Sequence, residues 1–183
     1  LMFVTSFGNW KFDGDAEGTY QQNEYNDEGQ VVGFTTTEYA YALDGLYVGD
    51  MPQTAYILGV TVKPVKGLQL QAIHKTYDKN YSDWSPGARE YDGTDADADR
   101  SQVWEAPGYS RLDLHMSYKL PKINDLDMTL TGHIFNVLDE VYVQDAVDNS
   151  RYNSYGSKQH LAHNAEVFLG TPRYANIGLT INF

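Results

Sequence analysis

The chain has 183 residues, no cysteine, and a formal charge of -12 that comes from 25 acidic and 13 basic residues. This composition excludes disulfides and cysteine-ligated metal sites, and it disfavours nucleic-acid binding, because neutralising phosphates requires clustered Lys and Arg. No segment approaches the ~18 consecutive apolar residues of a membrane-spanning helix. The chain begins Leu1-Met2-Phe3-Val4, without an initiator methionine or a signal-peptide pattern, so we expect a fragment of a longer protein.

Apolar and polar residues alternate with a period of two along much of the chain. Such alternation turns one set of side chains to each face of a strand, and helix-spaced apolar stripes are absent, so the sequence predicts an all-β chain. The pattern is clearest in 175–183 and recurs in 56–62, 112–120 and 128–134. The predicted strands, in chain order, span about 2–20, 53–63, 67–80, 108–119, 127–138 and 172–183.

Short and long connections between the predicted strands alternate along the chain. Two are short turns, at 63–67 and 120–126, and three are long loops of about 21–51, 81–107 and 139–171. A further alternation at 39–43 is interpreted as a strand extension beyond the membrane, not as a spanning strand. In an antiparallel up-and-down sheet the short turns then lie at one end and the long loops at the other, which is typical of outer-membrane β-barrels.

Alternation by itself also fits a soluble protein. In a β-sandwich the apolar residues face a core between two sheets, whereas in a membrane barrel they face lipid. A soluble secreted β-sandwich that acts as a binding or adhesion module is therefore the alternative interpretation. A barrel enzyme is a weaker third one, because no Ser/His/Asp triad, glycine-rich phosphate loop or pair of catalytic carboxylates is evident, and we expect no catalysis.

Five segments resemble parts of a known type of barrel, and their order and spacing cover nearly the whole chain. Four of them are 6–12, 44–53, 77–83 and 170–173, the last followed by a strand that ends in Phe183. The fifth is Asn136-Val137-Leu138-Asp139-Glu140-Val141-Tyr142. With these segments the chain resembles the C-terminal end of the barrel of a TonB-dependent outer-membrane receptor, of the kind common in Bacteroidetes-like bacteria.

The resemblance implies a fold, a location and an activity. Receptors of this family have ~22 antiparallel strands around a plugged lumen, so residues 1–183 would form a six-stranded C-terminal part of a transmembrane β-barrel in the bacterial outer membrane. Such receptors actively import a scarce, bulky nutrient: an iron chelate, cobalamin, a glycan or a peptide. The implied partners are outer-membrane lipid and lipopolysaccharide, the plug and other strands of the receptor, the TonB complex, the barrel-assembly machinery and a surface lipoprotein.

Aromatic side chains crowd the strand ends and the long loops. Those near strand ends are expected in the interfacial girdle of a barrel, where amphipathic rings suit the headgroup layer: Trp10, Tyr77 and Tyr109. Those deeper in the loops are candidates for stacking against a ligand: Trp84, Trp104, Tyr152 and Tyr155.

The second long loop contains closely spaced carboxylates, at Asp92, Asp95, Asp97 and Asp99. Carboxylate oxygens are ligands that Ca²⁺ prefers, but the spacing is not that of an EF-hand. A solvated acidic loop is the main prediction and a calcium site is the alternative. No other cofactor is expected.

The last predicted strand resembles the signal that the barrel-assembly machinery reads. The residues concerned are Tyr174, Ile177, Leu179, Ile181 and Phe183. An apolar, alternating strand with unpaired edge groups can be captured by addition to another sheet. Packing of Phe183 at the periplasmic interface is the alternative interpretation.

Two histidines on neighbouring predicted strands form a further candidate cluster. The period of two places His115 and His133 on the lumenal face, together with Arg111, Asp113 and Lys119. A hydrated polar network is predicted there in preference to a metal site.

Overall fold

The computed structural model describes residues 1–91, 96, 98–122, 126–148 and 160–182. These residues form short and long strands with very little helix, and the prediction of an all-β antiparallel chain is confirmed. The strands are β1 (Met2–Phe7), β2 (Ala16–Tyr25), β3 (Val31–Tyr41), β4 (Thr54–Val62), β5 (Leu68–Asp78), β6 (Asn80–Tyr81), β7 (Glu90–Tyr91), β8 (Glu105–Ala106), β9 (Tyr109–Lys119), β10 (Asp127–Phe135), β11 (Val143–Asp148), β12 (Ala165–Leu169) and β13 (Tyr174–Asn182).

Six strands form one antiparallel sheet, called here the main sheet. Its order is β1-β4-β5-β9-β10-β13, so the strands of this sheet lie side by side in their order along the chain. This is an up-and-down arrangement, and every predicted strand contains one strand of the main sheet. In the described residues β1 and β13 are the two edges and do not pair with each other, so the sheet is open.

The first predicted strand is wrong in its length. The structure ends β1 at Phe7, and residues 16–20 belong instead to β2, which pairs with β3 in a separate sheet. The break has a physical cause in the Gln53 side chain, which accepts a hydrogen bond from the Trp10 N–H and donates one to the Trp10 carbonyl, both at 2.9 Å. These bonds replace the backbone hydrogen bonds to the neighbouring strand that Trp10 would make if β1 were longer.

The main sheet has one apolar and one polar face. The register places Leu58, His74 and Leu112 side by side on the apolar face, and Lys75 and Arg111 side by side on the polar face. Of the charged residues in these six strands, only Asp78 lies on the apolar face, at the end where β5 enters the long connection. The others share the polar face: Lys75, Arg111, Asp113, Lys119 and Asp127.

The apolar face is open to the surroundings in the described part of the molecule. Leu114 is 37% exposed, Leu179 is 56% exposed and Ile181 is 46% exposed, although each is a large apolar side chain. A soluble sandwich would cover these residues with a second sheet, and the described residues place no such layer there.

The three long connections leave the same end of the main sheet and carry secondary structure of their own. We call the described residues of 8–53, 79–108 and 136–173 the loop layer. They contain a β2-β3-β7 sheet and the pairs β6-β8 and β11-β12, whereas the sequence predicted loops there apart from a strand extension at 39–43. A one-turn helix at Pro86–Arg89 and a 3-10 turn at Ala162–Asn164 are the helical elements described. No helix in the described ranges is long and apolar enough to cross a membrane.

The buried apolar core of the described residues lies in the loop layer and not in the main sheet. Its members are Ala40, Ala42, Leu43, Leu46, Tyr81, Val103, Ala106, Tyr142 and Ala146. All three long connections contribute, so the connections fold against one another as a single packed unit. The residues 39–43 that alternate in the sequence lie in β3 and in this core, outside the main sheet.

Candidate functional site

An ion pair joins the first long connection to the second. The Arg100 guanidinium donates to both oxygens of the Asp15 carboxylate at 2.8 Å, and the Tyr91 hydroxyl donates to the same carboxylate at 2.8 Å. Asp15 also accepts hydrogen bonds from the backbone N–H groups of Leu43 and Asp44. Because Arg100 and these N–H groups stabilise the ionised form, the pKa of Asp15 is well below its ordinary value.

Aromatic rings pack across the same boundary. Tyr47 of the first connection stacks on Tyr81 of the second, with ring centroids 4.1 Å apart and planes at 7°. Tyr81 is buried, and this burial, with the nearby Glu105 carboxylate, raises its pKa to about 12. Tyr81 therefore stays neutral, and the stacked pair holds the two connections in a fixed relation.

A buried charge cluster joins the second connection to the third. Arg89 is 0% exposed and lies between two buried carboxylates, at 3.6 Å from Asp99 and 3.8 Å from Asp148. His160 bridges the same two carboxylates, with Nδ1 2.6 Å from Asp148 and Nε2 2.8 Å from Asp99. Two cationic groups thus face two anionic ones in the interior, so the four side chains act as one unit, called here the buried charge cluster.

Burial and the hydrogen bonds within this cluster shift the pKa values of His160, Asp99 and Arg89. Burial alone lowers the pKa of His160, but its hydrogen bonds to Asp148 and Asp99 outweigh burial, and the net pKa is raised. Burial raises the pKa of Asp99, but the bonds from His160 and the Ser101 N–H outweigh it and lower the net pKa. Burial lowers the pKa of Arg89. His160 is therefore held as an imidazolium between two carboxylates.

The tryptophans predicted to contact a ligand lie in the loop layer, half-buried. The Trp84 ring packs against Tyr41 at 5.5 Å and against Phe12 at 6.4 Å, measured between centroids. The Trp104 carbonyl accepts a hydrogen bond from the Ser82 N–H at 2.8 Å. Both residues thus help to build the loop layer, and ligand contact by either stays a prediction. Tyr152 and Tyr155 lie outside the described residues.

The predicted calcium ligands are mostly outside the described residues, namely Asp92, Asp95 and Asp97. Asp99 is described, and its carboxylate belongs to the buried charge cluster, where His160, Arg89 and the Ser101 N–H surround it. Across the described ranges, no three His, Cys, Asp or Glu side chains come together as a metal site. Calcium binding by this loop stays a prediction.

Asn136 ties the loop layer to the main sheet. Its N–H donates to the buried Asp113 carboxylate at 2.9 Å, and its side-chain amide donates to the carbonyls of Glu140 and Thr171. Its φ of 49° lies in the left-handed region, which Asn tolerates better than most residues. Asn136 thus joins β9, β10 and the entry to β13.

The strand-end tyrosines lie on the polar face, not on the face expected of a lipid-facing girdle. Tyr77 and Tyr109 pair in register next to Lys75 and Arg111, and Tyr109 stacks on Tyr142 at 4.2 Å between centroids. The aromatic residues at this end of the apolar face are Phe7 and Tyr56, which contact each other edge to face at 5.4 Å. Trp10 lies beyond β1, bonded to Gln53.

The predicted assembly residues of the last strand divide between the two faces. Ile177, Leu179 and Ile181 lie on the apolar face and are exposed. Tyr174 lies on the opposite face and stacks on Phe135 at 4.7 Å between centroids, so it does not belong to the same row. β13 pairs with β10 on one side and is an edge on the other, while Phe183 lies outside the described residues.

Sequence reasoning missed the residues that organise the loop layer: Asp15, Gln53, Arg89, Asp148 and His160. Their partners are distant along the chain; Arg100 lies 85 residues after Asp15, and His160 lies 61 residues after Asp99. One usable signal was present, since Arg100 is a basic residue directly after the acid-rich run 92–99, but this signal does not specify its partner.

Comparison of the chain with protein-family models, with curated protein sequences and with solved structures finds no match. The resemblance to TonB-dependent receptors therefore stays a prediction. The geometry that bears on this prediction is an open antiparallel sheet with one apolar and one polar face, and a packed loop layer at one end of the sheet.

Proposed function

We propose that the chain forms part of the wall and the ligand-facing loop layer of an outer-membrane β-barrel receptor that imports a scarce, bulky nutrient with energy from a TonB complex. The observation that carries this proposal is the exposed apolar face of the main sheet, opposite a polar face that holds most of the charged strand residues. In a barrel wall, lipid meets the first face and the aqueous lumen meets the second.

The dimensions of the sheet support a membrane location. Five of its six strands, β4, β5, β9, β10 and β13, have 9, 11, 11, 9 and 9 residues, and the edge strand β1 has 6. A tilted strand needs about 9–11 residues to cross the hydrocarbon core. Rings lie at both ends of the apolar face, with Phe7 and Tyr56 near the loop layer and Tyr118 near the short turns, as in an interfacial girdle.

The loop layer supports the receptor part of the proposal. Short turns at one end of the sheet and long, folded connections at the other match the periplasmic and extracellular sides of a receptor barrel. Because ion pairs and stacked rings lock the connections together, they present a pre-formed surface, and a pre-formed surface loses less entropy when a ligand binds. Further strands along the open edges of β1 and β13 would complete the barrel.

Single-cysteine labelling tests which solvent each face meets. The chain has no cysteine, so Leu114→Cys and Ser117→Cys each give one labelling site, on opposite faces of β9. We expect brominated lipid in a bilayer nanodisc to quench a fluorophore at position 114 and not one at position 117. Equal quenching at both positions, or a protein that stays monomeric in buffer without detergent, would favour the secreted sandwich.

Uptake measurements test transport separately from location. Cells that produce the receptor are given radiolabelled cobalamin, a ferric chelate or an oligosaccharide as the limiting nutrient. We expect uptake of one of them to be lost both when the receptor gene is deleted and when the TonB complex is inactivated. Uptake that persists without the TonB complex contradicts active import by this mechanism.

A further inference from the structure

Two histidines on the polar face of the main sheet lie in direct contact. His115 of β9 and His133 of β10 are register partners, so their side chains project side by side. Their Nδ1 atoms are 2.9 Å apart, and their ring centroids are 5.1 Å apart. Imidazole nitrogens at this separation either share one proton or bind one common atom.

The pair opens into a groove instead of being sealed inside the sheet. Both rings are half-buried, and uncharged side chains line the groove on either side of them: Gln69, Gln71, Met116, Ser117, Thr131 and Phe135. Lys75, a cation on the same face, is held by the Asp113 carboxylate at 2.9 Å. A cationic ligand that enters the groove therefore meets the two imidazoles and uncharged side chains.

The geometry points to a transition-metal site formed by His115 and His133, for Cu²⁺ or Ni²⁺ or for a chelate of either ion. Metal–imidazole bonds are about 2 Å long, so two nitrogens in adjacent positions at a right angle lie about 2.9 Å apart. Tetrahedral coordination, which Zn²⁺ prefers, separates them by about 3.3 Å and requires the rings to move apart.

The site has only two protein ligands, which determines what it can hold. Tetragonal and octahedral ions keep further coordination positions, and water or the donor atoms of a chelator fill them. The pair thus suits reversible binding along a surface more than permanent retention. This inference does not depend on the proposed membrane location, since it rests on the contact between two side chains.

Copper titration of the purified chain in detergent tests the site. We expect one Cu²⁺ to bind per chain and the electron paramagnetic resonance spectrum to show hyperfine coupling to two imidazole nitrogens. His133→Asn should weaken binding by more than about tenfold, since loss of an outer-shell partner alone costs about that much, and should reduce the coupling to one nitrogen. His74→Asn is the matched control, because His74 lies on the opposite face of the neighbouring strand.

A second measurement covers variants that fold poorly. In the unaltered chain, bound Cu²⁺ should protect His115 and His133, but not His74, from diethyl pyrocarbonate, as read by mass spectrometry. The inference is overturned if His133→Asn binds copper as tightly as the unaltered chain, or if copper protects neither residue. If the two histidines only share a proton, His133→Asn will not change the affinity for copper, and copper will not protect either histidine from modification.

Discussion

The buried charge cluster shows how a few side chains can hold long connections together. Arg89, with Asp99, comes from the second connection, and Asp148, with His160, comes from the third. Isolated charges in such a place are costly, and removing one partner of a buried pair typically costs about 3–5 kcal/mol. The four groups therefore stabilise the loop layer only as a set, and each protonation change within the set alters its stability.

His160 makes the stability of the loop layer depend on pH. Its ordinary pKa is 6.5 and its folded pKa is raised, so its stabilising contribution is complete below pH 6.5 and is lost as pH rises through the folded value. We expect the urea midpoint of the loop layer to fall between pH 6 and pH 9. Tryptophan emission measures it, because Trp10, Trp84 and Trp104 all lie in this layer.

Two variants separate His160 from the other titrating groups. His160→Gln should flatten the decrease in the urea midpoint, since glutamine cannot carry the charge that the two carboxylates stabilise. His163→Gln should leave the decrease in the urea midpoint with rising pH unchanged, because His163 is exposed. The explanation is wrong if the unaltered chain shows equal midpoints at both pH values, or if His160→Gln keeps the full pH dependence.

Among the secondary-structure elements, the strands of the main sheet were predictable and the hairpin of β2 and β3 was not. In β4, Leu58 and Val60 lie on the apolar face and Thr61 lies on the polar face. The different surroundings of the two faces therefore produce a period of two in the sequence. Both faces of the β2–β3 hairpin are largely exposed and carry Thr, Glu and Gln, so an apolar period marks only its end, at 39–41.

A local signal did exist for that hairpin, in its turn. The Asn26 side chain accepts hydrogen bonds from the N–H groups of Glu28 and Gln30, and Gly29 has a φ of 77°. Asn followed by Gly three residues later is ordinary turn chemistry. The buried charge cluster had no comparable signal, because Arg and Asp are usually exposed and only the folded loop layer brings these four side chains together.

The turn between β4 and β5 gives a test of how the short-turn end of the sheet is built. Gly67 has a φ of 87°, and a Cβ there would lie 2.7 Å from the Lys119 carbonyl oxygen. Gly67→Ala should therefore destabilise the chain by more than about 2 kcal/mol, because left-handed strain and a backbone clash add. The free energy of unfolding in urea measures this.

Gly29→Ala is the matched control for the turn. It has a similar positive φ, but nothing lies within 4 Å of the added Cβ. We expect a loss of about 1 kcal/mol from strain alone. Equal losses for the two variants would mean that the Gly67 turn does not dock against β9 as the structure shows.

At the scale of the whole molecule, the placement of its buried residues is unusual for a soluble protein. The buried apolar side chains described lie in the loop layer, whereas the main sheet exposes Leu58, Val60 and Ile177. An apolar surface of this extent on a soluble chain marks an interaction site or an aggregation hazard. In a bilayer such a surface is the ordinary outer surface of a barrel wall. Experiments that measure lipid contact therefore test the whole molecule and not a single residue.

A pair of lysine substitutions on β10 tests that interpretation energetically. Leu130 lies on the apolar face, in a row with Tyr118 and Leu179, and Thr131 lies on the polar face, in a row with Ser117. Both positions are near the centre of β10, hence near the bilayer midplane in the proposed orientation. Leu130→Lys should cost about 2–4 kcal/mol of folding free energy in lipid vesicles, because the charge meets hydrocarbon.

Thr131→Lys places the same charge one residue away, in the proposed lumen. It should change the folding free energy by less than about 1 kcal/mol, because water and the polar face solvate it. Urea titration in vesicles measures both values under identical conditions. If the two lysines cost the same, neither face meets lipid selectively and the barrel-wall proposal fails. If Thr131→Lys costs more than Leu130→Lys, the polar face and not the apolar face meets hydrocarbon, and the proposed orientation of the sheet is wrong.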